Sequence, residues 1–323
     1  MKKRWLVGMA ACMLFSSGIH AADQWPTKPV RWICPYVAGG AADIFSRTIG
    51  QKLGEVFGQT IIIDNRAGAN GSIGTELASR AQPDGYTILM GQSGPLTTNP
   101  VFYKKLNYDP VKDFIPVTQG TLYMYVLVVP VANPVANIKD MIAWVKSKPG
   151  ALTYGSTGIG GGNHLAGELF NLMTQTKSIH VPYKGSALAL ADLLGGQLSY
   201  MFDTPITSVP QLKAGKLRAI GVSGLKRSSS LPEVPTLDEL GLKGFEITQW
   251  QAVMLPAGTP QAIVDRLHRE VVRALKMPDV IERLGTQGGN ELVGNTPQEF
   301  AQVIKNDLAK YAKLVKEAAL KLE

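Results

Sequence analysis

The groups best suited to bind a ligand in this chain are backbone N–H groups within residues 35–43 (PYVAGGAAD). This loop follows an apolar stretch at residues 30–33 that predicts a strand, and it leads into a helix that we expect to begin near Ala42. The first N–H groups of a helix have no partner within the helix and lie at its positive end. Because Gly39 and Gly40 have no Cβ, a carboxylate or a phosphate can approach these N–H groups closely. The loop therefore predicts an anion-binding site.

The same arrangement recurs in the second half of the chain. A predicted strand at residues 152–154 is followed by residues 155–162 (GSTGIGGG) and then by a predicted helix. These glycines do not form the dinucleotide-binding pattern G-x-G-x-x-G, because Asn163 occupies its last position. The phosphate-binding pattern G-x-x-x-x-G-K-[ST] is also absent from the sequence. We therefore expect a second anion-binding loop and no nucleotide cofactor.

Side chains suited to covalent or metal chemistry are sparse. Ser93 lies in residues 91–95 (GQSGP), which depart from the hydrolase nucleophile elbow because proline stands where glycine is needed. The histidines beyond the N-terminal segment are His164, His180 and His268, and none is paired at metal-ligand spacing. We therefore expect no catalytic residue, no metal and no cofactor.

Five side chains beside the loops each allow a ligand-binding and a structural interpretation. His164 follows the second glycine loop and would face the ligand or pack against a neighbour. Asp203 ends a predicted strand and would face the ligand or cap the turn that follows it. Arg66 would pair with an anion or tie loops together. Tyr36 and Tyr154, which precede the two loops, would contact the ligand or pack the strand ends.

Residues 1–21 are typical of a secretory signal peptide. Basic residues at 2–4 precede an apolar stretch at residues 5–15, and small residues suited to cleavage follow. The apolar stretch is shorter than the roughly 20 residues that a membrane-spanning helix needs. The alternatives are a buried N-terminal helix and a lipoprotein-type attachment at Cys12. We expect a periplasmic protein in which Cys34 remains as the single cysteine, so no intramolecular disulfide forms.

The charge of the chain excludes one class of partner. The formal net charge is +8, and without the three basic residues at 2–4 it falls to about +5, with 30 basic against 25 acidic residues. The sequence has no run of five basic residues. Because nucleic-acid-binding proteins concentrate basic residues in patches, we expect no nucleic-acid partner.

Three predicted strands in the N-terminal part each end in a loop of small residues. A predicted amphipathic helix at residues 42–57 joins the first two strands, which therefore form a parallel pair. Ligands of open α/β sheets bind outside the carboxyl ends of the strands, so we expect these loops to converge on one site. The strands are predicted at residues 30–33, 60–64 and 86–90, the second of them fully buried.

The order of the predicted elements indicates two lobes. We assign residues 22–121 and 248–323 to the first lobe and residues 122–247 to the second. Residues 114–130 are interpreted as a connection into a new strand, and residues 248–256 as the strand that returns. Two lobes joined by two crossings form a hinged clamp that closes around a ligand.

Six segments in a fixed order match one known family and cover nearly the whole mature chain. They are residues 36–43 (YVAGGAAD), 64–71 (DNRAGANG), 83–87 (PDGYT), 154–156 (YGS) with Gly158, 180–185 (HVPYKG) and 231–236 (LPEVPT). With them, the chain resembles the extracytoplasmic solute-binding receptors of the tripartite tricarboxylate transporter group, also called the Bug receptors. The family pattern usually has proline where Ala38 stands here.

The resemblance implies an α/β fold of the type II periplasmic binding protein, or Venus-flytrap, class. It implies that backbone groups and bridging waters hold the carboxylate of the ligand between the lobes. Asp43 is expected to cap its helix rather than react. From the loops and the resemblance together, we predict a ligand site formed by Tyr36, Gly40, Ala41, Ala42, Asp43, Asn70, Ser93, Ser156, Thr157, Gly158, His164 and Asp203.

The leading hypothesis is a monomeric, non-catalytic receptor that captures a small organic carboxylate for membrane transport subunits. Family members bind dicarboxylates, tricarboxylates, amino acids or aromatic acids, and the sequence does not select among them. One alternative is an exported hydrolase or transferase that uses the same cleft, which would need a nucleophile beside a base. Another is a ligand sensor that passes its closed state to a membrane kinase.

Overall fold

The computed structural model describes residues 25–317, which form two α/β lobes, each built on one mixed sheet. The strands are β1 (Val30–Cys34), β2 (Ile61–Asn65), β3 (Thr87–Gln92), β4 (Phe114–Met124), β5 (Val126–Pro130), β6 (Thr153–Ser156), β7 (Ile179–Pro182), β8 (Tyr200–Asp203), β9 (Leu217–Val222), β10 (Thr248–Pro256) and β11 (Glu291–Leu292). The helices are α1 (Ala41–Phe57), α2 (Ser72–Ser79), α3 (Asn99–Phe102), α4 (Ile138–Ser147), α5 (Gly162–Thr174), α6 (Ser186–Leu194), α7 (Pro205–Lys213), α8 (Gln261–Leu275), α9 (Pro278–Val280) and α10 (Pro297–Glu317).

The sheet of the first lobe has the strand order β11-β4-β10-β3-β1-β2. Strand β1 pairs in parallel with β2 and β3, and β10 runs antiparallel to β3 and β4. The predicted parallel pair is therefore confirmed. The prediction that the second strand is fully buried is wrong, because β2 lies at the edge of the sheet and Ile62 is 51% exposed. Three consecutive isoleucines at residues 61–63 do not distinguish an edge strand from a central one.

The sheet of the second lobe has the order β7-β6-β8-β5-β9, with β6 parallel to β7 and β8 and with β5 antiparallel to β8 and β9. Both lobes therefore contain a parallel strand pair whose carboxyl ends lead into helices. This is the arrangement in which α/β sheets place ligands.

The chain crosses from the first sheet to the second at Tyr125, the single residue between β4 and β5. Residues 114–130 are thus two successive strands rather than a connection, and the predicted boundary between residues 121 and 122 falls inside β4. The reason is pairing: β4 remains paired with β10 as far as Met124, opposite Thr248. The return crossing lies between Val222, the end of β9, and Thr248.

Ser223 holds the two crossings together. Its Oγ accepts a hydrogen bond from the Tyr125 N–H at 2.9 Å and donates one to the Ile247 carbonyl at 2.6 Å. Its backbone N–H donates to the Tyr125 carbonyl at 2.8 Å, and its carbonyl accepts from the Ile247 N–H at 2.9 Å. Ser223 is fully buried. Both crossings are therefore hydrogen-bonded to one residue without exposed surface, at the edge of the second lobe.

Two helix ends follow the sequence closely. Helix α1 buries Phe45, Ile49 and Leu53 in the first core and ends at Gly58, whose φ of 63° lies in the left-handed region that glycine favours. The sequence Thr296-Pro297-Gln298-Glu299 has the pattern of a capping box, and helix α10 begins with it: Glu299 accepts from the Thr296 N–H at 2.8 Å. Within residues 25–317 no helix is long and apolar enough to span a membrane. The predicted signal peptide, residues 1–21, lies outside the described residues.

Candidate functional site

A cavity lies between the two lobes, where β1, β3, β6 and β8 reach their carboxyl ends. Its volume of about 20 Å³ is room for about one water molecule. Its wall is formed by Tyr36, Val37, Gly40, Ala41, Ala42, Gln92, Tyr123, Tyr125, Thr157, Asn163, Ser186, Asp203 and Thr204.

The first lobe presents the N-terminus of α1 to this cavity. The first hydrogen bond of the helix runs from the Ile44 N–H to the Gly40 carbonyl at 3.0 Å. The N–H groups of Ala41 and Ala42 precede it and therefore have no partner within the helix. No side chain caps the helix at Gly40. The positive end of α1 is thus directed at the cavity wall, where it favours an anion.

The second lobe presents two further helix N-termini. Helix α6 begins at Ser186, directly after Gly185, and helix α7 begins at Pro205, directly after Thr204. Neither end has a side-chain cap, and Ser186 and Thr204 both line the cavity. Helix N-termini from both lobes therefore converge on one small volume.

Polar side chains on the strands complete the wall. Gln92, the last residue of β3, donates from Nε2 to the Tyr123 hydroxyl at 2.7 Å, while its buried Oε1 has no hydrogen-bond partner among the described residues. Burial raises the pKa values of Tyr36, Tyr123 and Tyr125 well above the ordinary tyrosine value. These phenols therefore stay protonated at physiological pH.

Asp203 is the one carboxylate in the cavity wall, and the wall contains no lysine, arginine or histidine. Its Oδ2 accepts hydrogen bonds from the hydroxyls of Thr207 and Ser208, each at 2.7 Å. Its Oδ1 is buried and has no hydrogen-bond partner among the described residues. Burial raises the pKa of Asp203 to about 6, although hydrogen bonds from Ser208, Thr207 and Thr204 act against the rise. The prediction that Asp203 faces the ligand remains open, and its Oδ1 is free for a donor.

The cavity wall contains half of the predicted ligand-site residues. Those that line it are Tyr36, Gly40, Ala41, Ala42, Thr157 and Asp203. Those that lie outside it are Asp43, Asn70, Ser93, Ser156, Gly158 and His164.

Asp43 is turned away from the cavity because its carboxylate is already bonded. Its Oδ2 accepts from the Gly39 N–H at 3.0 Å and from Arg47 Nε at 2.9 Å, and its Oδ1 accepts from Asn65 Nδ2 at 3.0 Å. These contacts hold the glycine loop to the start of α1. Arg66 likewise has a structural partner, since its Nε lies 2.8 Å from Asp64 Oδ1.

Ser93 lies behind the cavity and not in its wall. Its hydroxyl donates to Gln249 Oε1, and it accepts from the Trp250 N–H at 3.3 Å. Both partners belong to β10, so Ser93 joins the end of β3 to that strand. No histidine takes part in these bonds, and the arrangement lacks the base that a serine nucleophile needs.

The second glycine loop contacts the first lobe. Thr157 Oγ1 lies 3.3 Å from Asn70 Oδ1, and a Cβ on Gly158 would lie 3.0 Å from the Asn70 backbone nitrogen. The Gly160 carbonyl accepts from the hydroxyl of Thr98. Asn70 and Gly158 therefore form part of the contact between the lobes, beside the cavity. The glycines here allow close approach to protein backbone and not to a ligand.

His164, Ser156 and His180 pack behind this loop. The rings of His164 and His180 stack with centroids 4.0 Å apart, and the Gly160 N–H donates to His164 Nδ1 at 3.2 Å. Burial lowers the pKa values of His164 and His180 to about 3 and about 4. Ser156 Oγ lies 2.5 Å from His180 Nε2, but Ser156 is fully buried and outside the cavity wall. The packing interpretation of His164 is thus the one that the structure supports.

Seven residues of the wall were not predicted from the sequence. Ser186 had a visible signal, because it follows Gly185 as the first residue of a helix, and Thr204 had one, because it precedes a proline that begins a helix. Tyr123 and Tyr125 were missed because residues 114–130, which contain the end of β4 and the crossing residue Tyr125, were interpreted as a connection. The missed residues are Val37, Gln92, Tyr123, Tyr125, Asn163, Ser186 and Thr204.

Within the described residues, no group of three or more histidine, cysteine or acidic side chains is arranged to hold a metal ion.

Comparisons with known proteins agree with this architecture. The periplasmic binding protein BugD superposes with a TM-score of 0.89 at 34% identity, over 93% of this chain and 100% of BugD. An R. palustris protein solved with adipate has a TM-score of 0.89 at 35% identity, over 93% and 100% of the two chains. MatC from Rhodopseudomonas palustris, solved with bound malate, has a TM-score of 0.86 at 31% identity, over 90% and 100%. The predicted fold, a two-lobed periplasmic binding protein, is confirmed.

A family model decides the assignment. The model described as the tripartite tricarboxylate transporter family receptor matches residues 45–320, which is most of the sequence. The matched region includes both sheets apart from β1 and most of the cavity wall. The chain therefore belongs to the receptor family of the tripartite tricarboxylate transporters.

Proposed function

We propose that this chain is a periplasmic solute-binding protein that captures a small organic carboxylate between its lobes and delivers it to membrane transport subunits. One observation carries the proposal: uncapped helix N-termini from both lobes, α1 after Gly40 and α6 at Ser186, meet at one cavity. Such ends bind anions through free N–H groups. The related structures solved with adipate and malate hold acids of this class.

Capture requires the lobes to separate. The cavity of about 20 Å³ is far smaller than a dicarboxylic acid, since it holds about one water molecule. The lobes also touch on both sides of it, at Asn70 with Thr157 and at Gly40 with Ser186. We therefore propose that the lobes open to admit the solute, by rotation at Tyr125 and at the return crossing.

The proposal includes the lobe assignments, a monomeric state and a signal peptide at residues 1–21. It assigns no catalytic role. The Ser156–His180 contact is the one serine–histidine pair near the cleft among the described residues, and the buried serine has no path to a substrate in this arrangement. A sensor for a membrane kinase would use the same cleft, and deletion of neighbouring transport genes distinguishes uptake from sensing.

The test is identification of the solute followed by a matched ligand screen. Mass spectrometry of the natively purified protein, and then of its heat-released fraction, is expected to reveal an organic acid. Thermal shifts with adipate, malate and succinate are compared with their uncharged diamides. A ligand at about 100 times its Kd should stabilise the protein by about 2.7 kcal/mol, and the diamides should not. Absence of a shift with every acid tested, in protein shown to be ligand-free, contradicts the proposal.

A further inference from the structure

The side chains of the cavity wall include an acidic group and no basic group. The wall holds one carboxylate, Asp203, and no cationic side chain, although the proposed solute is itself an anion. The helix N-termini at Ala41 and Ser186 compensate one carboxylate of a solute. They leave the charge of Asp203 without a partner, and two like charges in a small buried volume repel each other strongly.

Two residues of the cavity wall each have a buried acceptor atom without a hydrogen-bond partner among the described residues: Asp203 Oδ1 and Gln92 Oε1. Asp203 is 0% exposed and Gln92 is 8% exposed. Leaving a buried acceptor unsatisfied destabilises the folded protein, and more so when the group is charged. Native structures rarely keep such atoms unless a ligand or a water satisfies them.

The neighbours of both residues fix these atoms in place. The hydroxyls of Thr207 and Ser208 occupy Asp203 Oδ2, and the Tyr123 hydroxyl occupies Gln92 Nε2. Neither side chain can turn its free oxygen toward a protein donor without breaking these bonds. The two oxygens come from different lobes, at the ends of β8 and β3, so a group that binds both also joins the lobes.

We propose that the solute is an amino-bearing carboxylate whose ammonium group donates to Asp203 Oδ1 and Gln92 Oε1, while its carboxylate accepts from the helix N-termini. This inference rests on the proposed function and narrows its substrate class. An ammonium neutralises Asp203 and forms charge-assisted hydrogen bonds, which are about twice as strong as neutral ones. The raised pKa of Asp203 is what burial without a cationic partner produces.

The test compares acids that differ only in the amino group. Aspartate is paired with succinate, glutamate with glutarate and 2-aminoadipate with adipate, each titrated by calorimetry into the ligand-free full-length protein at neutral pH. For at least one pair, the amino-bearing member is expected to bind at least about tenfold more tightly, or about 1.4 kcal/mol. Equal affinities in every pair, or tighter binding of the unsubstituted acid, overturn the inference but leave the proposed function intact. Absence of binding by all six acids contradicts both.

Two variants assign the preference to these atoms. Asp203→Asn is expected to remove the tenfold preference, and Asp265→Asn, on the exposed face of α8, is the control that keeps it. Gln92→Leu, which deletes the second acceptor, should reduce the preference about threefold even if Asp203→Asn does not fold. Retention of the full preference in either cavity variant, with normal thermal unfolding, overturns the assignment.

Discussion

The loop at residues 35–43 in the first lobe and the loop at residues 155–162 in the second both connect a strand to the N-terminus of a helix. The first directs the start of α1 at the cavity, with Gly40 in its wall. The second packs its glycines against Asn70 and the segment around Thr98 of the opposite lobe. The difference shows that glycine removes a Cβ for whatever must come close, which is the Ser186 side chain in the cavity wall for Gly40 and the Asn70 backbone for Gly158.

The largest expected effect comes from filling the first loop. Gly40 has φ −86°, which any residue adopts, but a Cβ there would lie 2.8 Å from Ser186 Oγ across the cavity. Gly40→Val should therefore lower carboxylate affinity at least about 100-fold, or about 2.7 kcal/mol, with little change in thermal stability. Gly195→Ala, at the end of α6 with φ −79°, is the control that should bind normally. Normal binding by Gly40→Val would mean that α1 does not hold the solute.

The second loop should respond to acid, because the histidines behind it are buried and neutral. The lowered pKa values of His164 and His180 mean that the unfolded chain takes up protons below pH 6.5 and the folded protein does not. Stability is therefore lost as the pH falls, by about 1.4 kcal/mol per pH unit for each histidine. Asp203 acts in the opposite direction between pH 6 and 3.8, since its pKa is raised on folding.

Chemical denaturation at pH 5 and pH 7 measures this effect. Replacing His164→Phe keeps a ring against His180 and Phe102 and removes one titrating group. The loss of stability between the two pH values should shrink by about 2 kcal/mol relative to the original protein. Equal losses of stability in the variant and in the original protein would show that protonation of His164 does not destabilise the folded protein.

A smaller effect is expected when the second loop receives a side chain. Gly158 has φ +127°, and a Cβ there would lie 3.0 Å from the Asn70 nitrogen. Gly158→Ala should cost about 1–3 kcal/mol of stability, as strained backbone does. Because Gly158 is not part of the cavity wall, the affinity of this variant for acids should fall by only about tenfold. An affinity loss as large as that of Gly40→Val would erase the distinction between the loops.

The smallest effect is expected at Asp43, which stabilises the first loop without contacting the cavity. Burial acts to raise its pKa, but hydrogen bonds from Arg47, Gly39 and Asn65 outweigh burial and lower it. Asp43→Asn should reduce stability by about 1 kcal/mol, since Arg47 is exposed and screened, and only above the ordinary aspartate pKa. Calorimetry should show affinity within about threefold of the original. Complete loss of binding would place Asp43 among the ligand-binding groups.

The sequence was most informative where local chemistry decides the structure. Three features follow from neighbouring residues, and the structure contains each of them: the α1 N-terminus, the parallel pair of β1 and β2, and the capping box at Thr296. Gly40 was placed by the same reasoning, whereas Ala41 and Ala42 were placed with the help of the family resemblance, and all three line the cavity.

The rest depends on contacts between residues far apart in the chain. A glycine-rich loop has the same pattern whether it faces a ligand or the other lobe, so Ser156 and Gly158 were assigned to the ligand. His164 was left between two roles, and only its stacking on His180 decides between them. Tyr123 in β4 and Tyr125 directly after it gave no signal, because the end of β4 is set by pairing with β10, more than a hundred residues later.

The position of Tyr125 has a consequence for how such receptors change over evolution. In the proposed mechanism, Tyr125 both lines the solute cavity and forms the crossing about which the lobes rotate, and its amide is anchored to Ser223. In this mechanism, the selectivity for the solute and the movement of the lobes depend on the same residue. A lineage that adapts to a bulkier solute by trimming this ring would change the packing beside the pivot but keep its anchor, because the bonds to Ser223 use the Tyr125 backbone. Wall positions away from the pivot, such as Gln92, offer adaptation without that side effect.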